Sequence, residues 1–339
     1  MRAGVSVRPV LARRSATDPP AAVRRKSVAL VDRRGHSGAV VDPLAVEAWI
    51  RGHAEPVGAI QLVHQQPWAT VLRVPLADGA AWFKACAPVQ EFEPRLTAEL
   101  FARWPDRVAE VLGYDEERAW LLLADAGEPV GTFGNPPQAW LAALPRYAEL
   151  QRGEAAHAPE HLAHGVPDLR LATLPAHYQE LLGLDLPLER DEVRQLRDFA
   201  PRFAELCAEL AAHGVPETIQ HDDLHHANLY VRGGRARVLD WGDASISHPF
   251  VSLVVTFRFL EERTGLTPGD RWFARLRDAY LEPWGRDLGE VFALAVRVGT
   301  FARPIAYIRQ RAALPQEERP LFDTDFSTVL RRAVARTPG

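Results

Sequence analysis

"HDDLHHAN", residues 221–228, sets three histidines, two aspartates and one asparagine in eight positions. Two chemistries compete for it. His221 and His225 stand four apart, a spacing that on a helix would bring both to one face as metal ligands. No helical apolar pattern surrounds them, however. The stretch lies between "ETIQ" (217–220) and the strand-like "NLYV" (228–231), so it reads as a loop. Neighbouring His225 and His226 would then point to different sides, and the His-x-His-x-Asp-His spacing of dinuclear hydrolases is absent. A zinc cage ranks second.

Phosphoryl transfer ranks first. Asp223 follows His221 by two, Asn228 follows Asp223 by five, and a short hairpin later stands Asp240 in "VLDWGDA" (238–244). Transfer from ATP needs a carboxylate for the attacking hydroxyl. It also needs an amide and a second carboxylate for magnesium, and a lysine held by a glutamate on a facing lobe. Magnesium is a hard ion and takes oxygen ligands, which Asn228 and Asp240 supply. The turn "RGGR" (232–235) returns the chain, so Asp240 can sit beside the loop of Asp223 and Asn228.

The facing lobe is legible upstream. "AIQLVHQQ" (59–66), "ATVLRVPL" (69–76) and "AWFKAC" (81–86) read as strands, the last two joined at Asp78-Gly79. "FEPRLTAELFARW" (92–104) has helical spacing in Phe92, Leu96, Leu100 and Phe101. "AEVLGYD" (109–115) and "AWLLLAD" (119–125) give two more strands. Lys84 lies in the third strand, where a kinase places its phosphate lysine. After the Gly/Pro-rich "DAGEPVGTFGNPP" (125–137), helices are expected near 138–152, 174–183 and 190–213, and again from Phe250 onward. The expectation is an α+β, two-lobe chain: a small β-rich lobe over 41–125 and a larger helical lobe over 126–339.

Composition sharpens the lysine. Of 40 basic residues only Lys26 and Lys84 are lysine, and Lys26 falls in a head (1–40) of Arg, Pro, Ala and Ser that is expected to be disordered. An ammonium is a compact point charge that a guanidinium does not replace. The head carries nine Lys/Arg against two Asp, a net of +7; the whole chain is −4, so the remainder carries −11. An acidic body argues weakly against nucleic acid and weakly for a cationic or metal-bound ligand. The two cysteines exclude a disulfide framework. The longest nearly apolar stretch, Phe250–Phe257, is too short to span a bilayer, and no apolar segment follows the early arginines. The expectation is a cytoplasmic protein with no membrane partner.

With these motifs in place, the chain resembles the aminoglycoside phosphotransferase and choline kinase-like family, which has the protein-kinase-like fold. The usual pattern there is close to H-G-D-L-H-x-x-N, then an apolar pair and D-[FW]-x-[DE]. The resemblance spans about residues 58–265 and implies Asp223 as catalytic base, Asn228 and Asp240 as magnesium ligands, His221 as the brace of the loop and Lys84 as the phosphate lysine. Glu93 is favoured over Glu99 as the partner of Lys84. Asp243 has two readings, an aid to metal or acceptor, or a brace.

The chain also departs from the pattern. Asp222 stands for the usual glycine and is given no catalytic role. "SHPFVSL" (247–253) resembles G-D-P-x-x-D-L with His248 and Ser252 in the aspartate places. "QQPWAT" (65–70) replaces a glycine-rich loop, so Thr70 or backbone N–H groups would serve the phosphates. By strand parity Trp82 shares a face with Lys84 and would border the adenine. Beyond Asp240, Trp284, Phe301, Arg303 and Tyr307 offer acceptor contacts, none singled out. The function expected is ATP-dependent phosphorylation of a small-molecule alcohol with magnesium. The alternatives are protein phosphorylation, which lacks a recognisable activation segment here, and a nucleotide-binding module without catalysis.

Overall fold

The computed structural model describes residues 42–337 except 268 and 286, so the basic head (1–40) lies outside the described residues. The first element is helix α1 (Pro43–Arg51). Asp42 caps it by accepting from the Leu44 N–H at 3.0 Å, and Pro43 starts it with a preset φ. The sequence pattern did not announce α1, since its buried face is only Val46 and Ile50.

Strands β1 (Gln61–Gln66), β2 (Ala69–Leu76) and β3 (Gly79–Cys86) follow as an antiparallel meander. Gly79 takes φ +131° at the β2–β3 turn, a conformation that excludes most side chains. Helix α2 (Glu93–Arg103) precedes β4 (Val111–Asp115) and β5 (Trp120–Ala124), and the sheet order is β1-β2-β3-β5-β4. Side chains alternate across this sheet. Leu72, Val74, Phe83 and Leu122 face α1 and make a small core with Val46 and Ile50. The opposite face, carrying Lys84, looks toward the helical lobe. Leu96 and Leu100 of α2 pack into the core of that lobe, so α2 ties the sheet to it.

The chain crosses over through β6 (Glu128–Pro129) into α3 (Pro137–Glu154), α4 (Ala158–Ala163), α5 (Leu174–Leu182) and α6 (Arg190–Ala211). Glu189 and Glu192 form a capping box at the start of α6. A β island interrupts the helices: β7 (Thr218–Gln220), β8 (Leu229–Arg232), β9 (Arg235–Val238) and β10 (Ser245–Ser247). β7 pairs with β10, and β6 joins the β8–β9 hairpin. Helices α7 (Leu253–Thr264), α8 (Arg271–Leu281), α9 (Gly289–Ala313) and α10 (Arg319–Val334) complete the lobe. Its core includes Trp140, Tyr178, Phe203, Phe250 and Phe301.

α9 is long and apolar enough to cross a membrane by length and composition alone, but Arg297 and Arg303 interrupt it and 56 % of that stretch is buried inside the lobe. Its apolar side packs inward, with Phe301 stacked on Phe199 at 4.3 Å between ring centres. The architecture has the expected two-lobe form, with a β-sheet N-terminal region and a helical C-terminal region.

Candidate active site

Three elements converge on Lys84. From β3 its Nζ lies 2.5 Å from Glu93 Oε2 at the start of α2 and 2.6 Å from Asp240 Oδ1 beyond β9. Glu93 is 1 % exposed, so its charge depends on the lysine. Glu99, the other carboxylate considered, is engaged with Arg95 at 2.9 Å and His164 at 3.1 Å. Burial works against the ammonium of Lys84, but Asp240 and Glu93 outweigh it and hold its pKa well above the ordinary lysine value.

The catalytic-loop candidate follows β7. Gly233 and Gly234, at φ +57° and +76°, close the β8–β9 hairpin and send the chain back. Leu239 N–H then donates to the Asn228 carbonyl at 3.0 Å, and the Leu239 carbonyl accepts from His221 Nε2 at 2.8 Å. These two bonds fasten Asp240 beside the loop. His221 also accepts from the Asp223 N–H at its Nδ1 and packs against Trp241. Burial lowers its pKa, so it serves as a neutral brace. Asn228 donates through Nδ2 to the Asp223 carbonyl at 2.9 Å, which leaves Oδ1 as the atom it can offer a cation.

Asp223 is reached from both sides. Arg303 of α9 lies 3.3 Å from Oδ1, and His225 Nε2 lies 3.2 Å from Oδ2. Burial opposes its ionisation, yet His225 and Arg303 together keep it well below the usual carboxylate range. Such a carboxylate is a good acceptor of a hydrogen bond and a weak acceptor of a proton. For Asp240, desolvation in the cleft is likewise outweighed, here by Lys84, and its pKa is lowered.

The zinc alternative does not fit this geometry. His221 faces Leu239 and Trp241; His225 and His226, expected on different sides, instead lie with ring centres 5.2 Å apart and both pack on Phe259, with His225 Nε2 turned to Asp223. Among the described residues no cluster of three metal-ligating side chains includes any of them.

Two sheet residues have different fates. Thr70 pairs with Ala85, so its side chain belongs to the face of Leu72 and Val74, opposite Lys84, and is buried. That corrects its expected role on the phosphates, because the β2–β3 register sets Thr70 opposite Ala85 and Val71 opposite Lys84. Trp82 shares the Lys84 face, is half-buried and lies outside the small core under α1.

His64, Arg303, Gln90 and Gln310 carried no motif. His64 stands in one cross-strand row with Val71 and Lys84, close enough for Asp240 and Lys84 both to act on its charge. Gln90 and Gln310 donate to Asp243 Oδ1 at 3.3 and 2.5 Å, so Asp243 is braced from two sides. Burial, with Asp223 and Asp240 nearby, raises its pKa. Of the four acceptor candidates, Arg303 alone makes a polar contact to the loop. Phe301 is core.

Two of the three departures, Asp222 and Ser252, are joined through Gln220. Asp222 adopts φ +60°, which explains why a glycine suits the position. Its carboxylate is buried and accepts from Gln220 Nε2 at 2.6 Å and Ser245 Oγ at 2.5 Å. Ser252 donates to Gln220 Oε1 at 3.0 Å and bonds Tyr147 and Gln151. His248 caps the turn at Pro249 by accepting from the Phe250 N–H, and burial lowers its pKa to about 3.

Residues 59–292 match the phosphotransferase enzyme family. A comparison with curated proteins found no significant match. Among solved structures, a choline kinase, LicA, from Streptococcus pneumoniae is similar at 11 % identity and a TM-score of 0.59, covering 86 % of this chain and 98 % of its own. The GDP complex of an aminoglycoside 2′-phosphotransferase-IIIa is similar at 16 % identity and 0.55, covering 86 % and 98 %. A spectinomycin phosphotransferase in complex with ADP and spectinomycin is similar at 11 % and 0.52, covering 86 % and 97 %.

Proposed function

The chain belongs to the phosphotransferase enzyme family, and from that premise we propose that it moves the γ-phosphate of ATP to a hydroxyl group of a small molecule. One observation carries the reading: Lys84 bridges Glu93 and Asp240 across the cleft, beside the loop that bears Asp223 and Asn228. A lysine, a magnesium-type oxygen pair and an ionised loop carboxylate are the parts that phosphoryl transfer needs. The relatives seen with GDP and ADP support a nucleotide in the cleft. The chain runs from β10 at Ser247 to α7 at Leu253 within six residues, which leaves no room for an activation segment and favours a small acceptor over a protein. Cys86 and Cys207 are free thiols, in keeping with a cytoplasmic setting.

Magnesium fits the donors present. Asn228 Oδ1 and the half-exposed carboxylate of Asp240 are hard oxygen ligands, and they would hold it. When bound it offsets charge on the phosphates. Asp223, ionised, accepts the hydrogen bond of the attacking hydroxyl and aims its oxygen. Because its basicity is low, orientation rather than early proton removal is its task. Lys84 offsets negative charge on the phosphates from the other lobe. Trp82 lies on the same face and borders the base.

Calorimetric titration with ATP and GTP, with and without magnesium, tests the reading on wild type and Asp240→Ala. The expected result is ATP binding that needs magnesium and fails in the variant, with Asp223→Asn binding ATP but transferring no phosphate. Absence of nucleotide binding, or wild-type turnover in Asp223→Asn, would overturn it.

A further inference from the structure

The helical lobe holds an open cavity of about 810 Å³ between α7, α8, α9 and α10. That is the size of a small-molecule site, roughly 300–1,000 Å³. Phe257, Phe273, Phe292 and Val296 contribute apolar walls. The charged lining is one-sided: Arg258, Arg271, Arg277, Arg303, Arg332 and Arg336 against Glu261 and Asp270. Asp270 is committed to the Trp272 N–H as the cap of α8, and burial raises the pKa of Glu261. Arg277 and Arg332 pair with Asp278 and Glu262, whereas Arg258, Arg271 and Arg336 make no ion pair among the described residues. The Arg258 guanidinium lies over the Phe259 ring at 4.5 Å, which holds its charge at the cavity wall without neutralising it.

The cavity reaches the loop through one side chain. Arg303 lines it and donates to the Asp222 carbonyl at 2.5 Å and to Asp223 Oδ1 at 3.3 Å. We propose that this cavity receives the phosphate acceptor, and that the acceptor is an amphipathic anionic alcohol: a hydroxyl directed to Asp223, an apolar body along the phenylalanines and an acidic group among the arginines. The assignment deepens the phosphotransferase reading and rests on it. It reverses the hint from bulk charge, since the acidity of the body is not distributed here. A polycationic or quaternary-amine acceptor would meet six guanidinium groups against Glu261 and a committed Asp270, and like charges repel.

Direct binding separates this inference from the reading beneath it. The full chain is titrated calorimetrically with 3-hydroxydecanoate, its methyl ester, a decyl glycerol phosphate, choline and kanamycin. The acids should bind, and the ester should bind at least about tenfold more weakly. The two acids against each other tell carboxylate from phosphate recognition, either of which supports the assignment. Arg271→Glu combined with Arg336→Glu, both at exposed positions, should weaken acid binding by about tenfold or more and leave magnesium–ATP affinity unchanged. Arg258→Gln should weaken it on its own. In turnover the double variant should raise the acceptor KM with kcat held. Choline or kanamycin binding as tightly as the acids, or acid binding indifferent to the arginines, would overturn the proposal. So would acids that bind but are not phosphorylated while choline is. Failure of ATP binding in wild type would remove the phosphotransferase reading instead, and the titrations would still judge the cavity's ligand class.

Discussion

Asp222→Asn should stabilise the protein above pH 6 and leave it almost unchanged near pH 4. Asp222 is 7 % exposed, and burial raises its carboxyl pKa to about 6. Arg303 and Arg309 of α9 and the Ser245 hydroxyl pull it down, and Asp243 adds to the rise. The folded state therefore holds this proton more tightly than the unfolded chain, whose value is about 3.9. The two-unit gap corresponds to about 3 kcal/mol of stability present at low pH, lost as pH rises from about 4 to 6 and missing above. Asparagine cannot ionise, so it escapes this loss. Its Oδ1 can still accept from Gln220 Nε2, and its Nδ2 can donate to Ser245 Oγ, because a hydroxyl accepts as well as donates. Asparagine also tolerates the left-handed backbone at φ +60°. Allowing for relaxation, the gain at pH 8 should be about 1–3 kcal/mol. Urea unfolding at pH 4.5 and pH 8, followed by tryptophan fluorescence, reads the difference in midpoints. Equal shifts at both pH values, or a loss of stability at pH 8, would refute the linkage argument.

Lys84→Ala should abolish ATP binding and also destabilise the fold by about 3 kcal/mol, because Glu93 is left buried and unpaired; Glu93→Gln in the same chain should restore part of the stability but no binding, as urea melts and calorimetry would show. Trp82→Ala should weaken ATP binding without changing which acceptor is used, and an unchanged ATP affinity would remove Trp82 from the base pocket. Gly153→Ala should lower stability by about 1–3 kcal/mol in a thermal melt, since a Cβ there would collide with the Trp104 ring, which Glu154 holds by a 2.6 Å bond to Nε1.

Much of the site was legible because it is local. His221, Asp223 and Asn228 lie in one eight-residue loop, and a glycine turn returns Asp240 to it, so sequence spacing nearly equals spatial order. Lys84 stood out by its rarity and its strand. The sheet was legible through alternation, and α2 through its apolar period. What stayed hidden depended on long-range packing. α1 buries two apolar residues in nine, too few to register as a period. Arg303 comes to Asp223 from eighty residues downstream, on a helix whose arginines masked its apolar character. His64 acquires meaning only from the register that aligns it with Val71 and Lys84. The same register turns the Thr70 side chain away from Lys84, which residue type alone does not reveal.

Asp222 and Ser252 read as separate losses in sequence, but in space Gln220 joins them into one exchange, with His248 standing apart. Where the family pattern sets acids behind the loop, this chain sets Ser252 in a neutral mesh. Ser252 bonds Gln220, Gln151 and Tyr147; Tyr147 accepts from the His221 N–H at 3.0 Å; and Gln151 donates to the Ile219 carbonyl at 3.0 Å. Tyr280 closes the mesh on Gln151 Oε1 at 2.6 Å, and Thr256 holds the Leu224 carbonyl at 2.7 Å. Backbone groups on both sides of Asp223 are thus held without a charge beneath them. The carboxylate absent from that place reappears within the loop, on Asp222, where a glycine would have offered backbone freedom and nothing else. There it is satisfied by Gln220 and Ser245, while its own carbonyl receives Arg303, the residue that also touches Asp223. Asp222 and Ser252, two of the three replaced residues, have their side-chain oxygens bonded, whereas His248 Nε2 is buried without a partner among the described residues. The support of Asp223 is therefore rebuilt from different chemistry at Asp222 and Ser252, and not at His248.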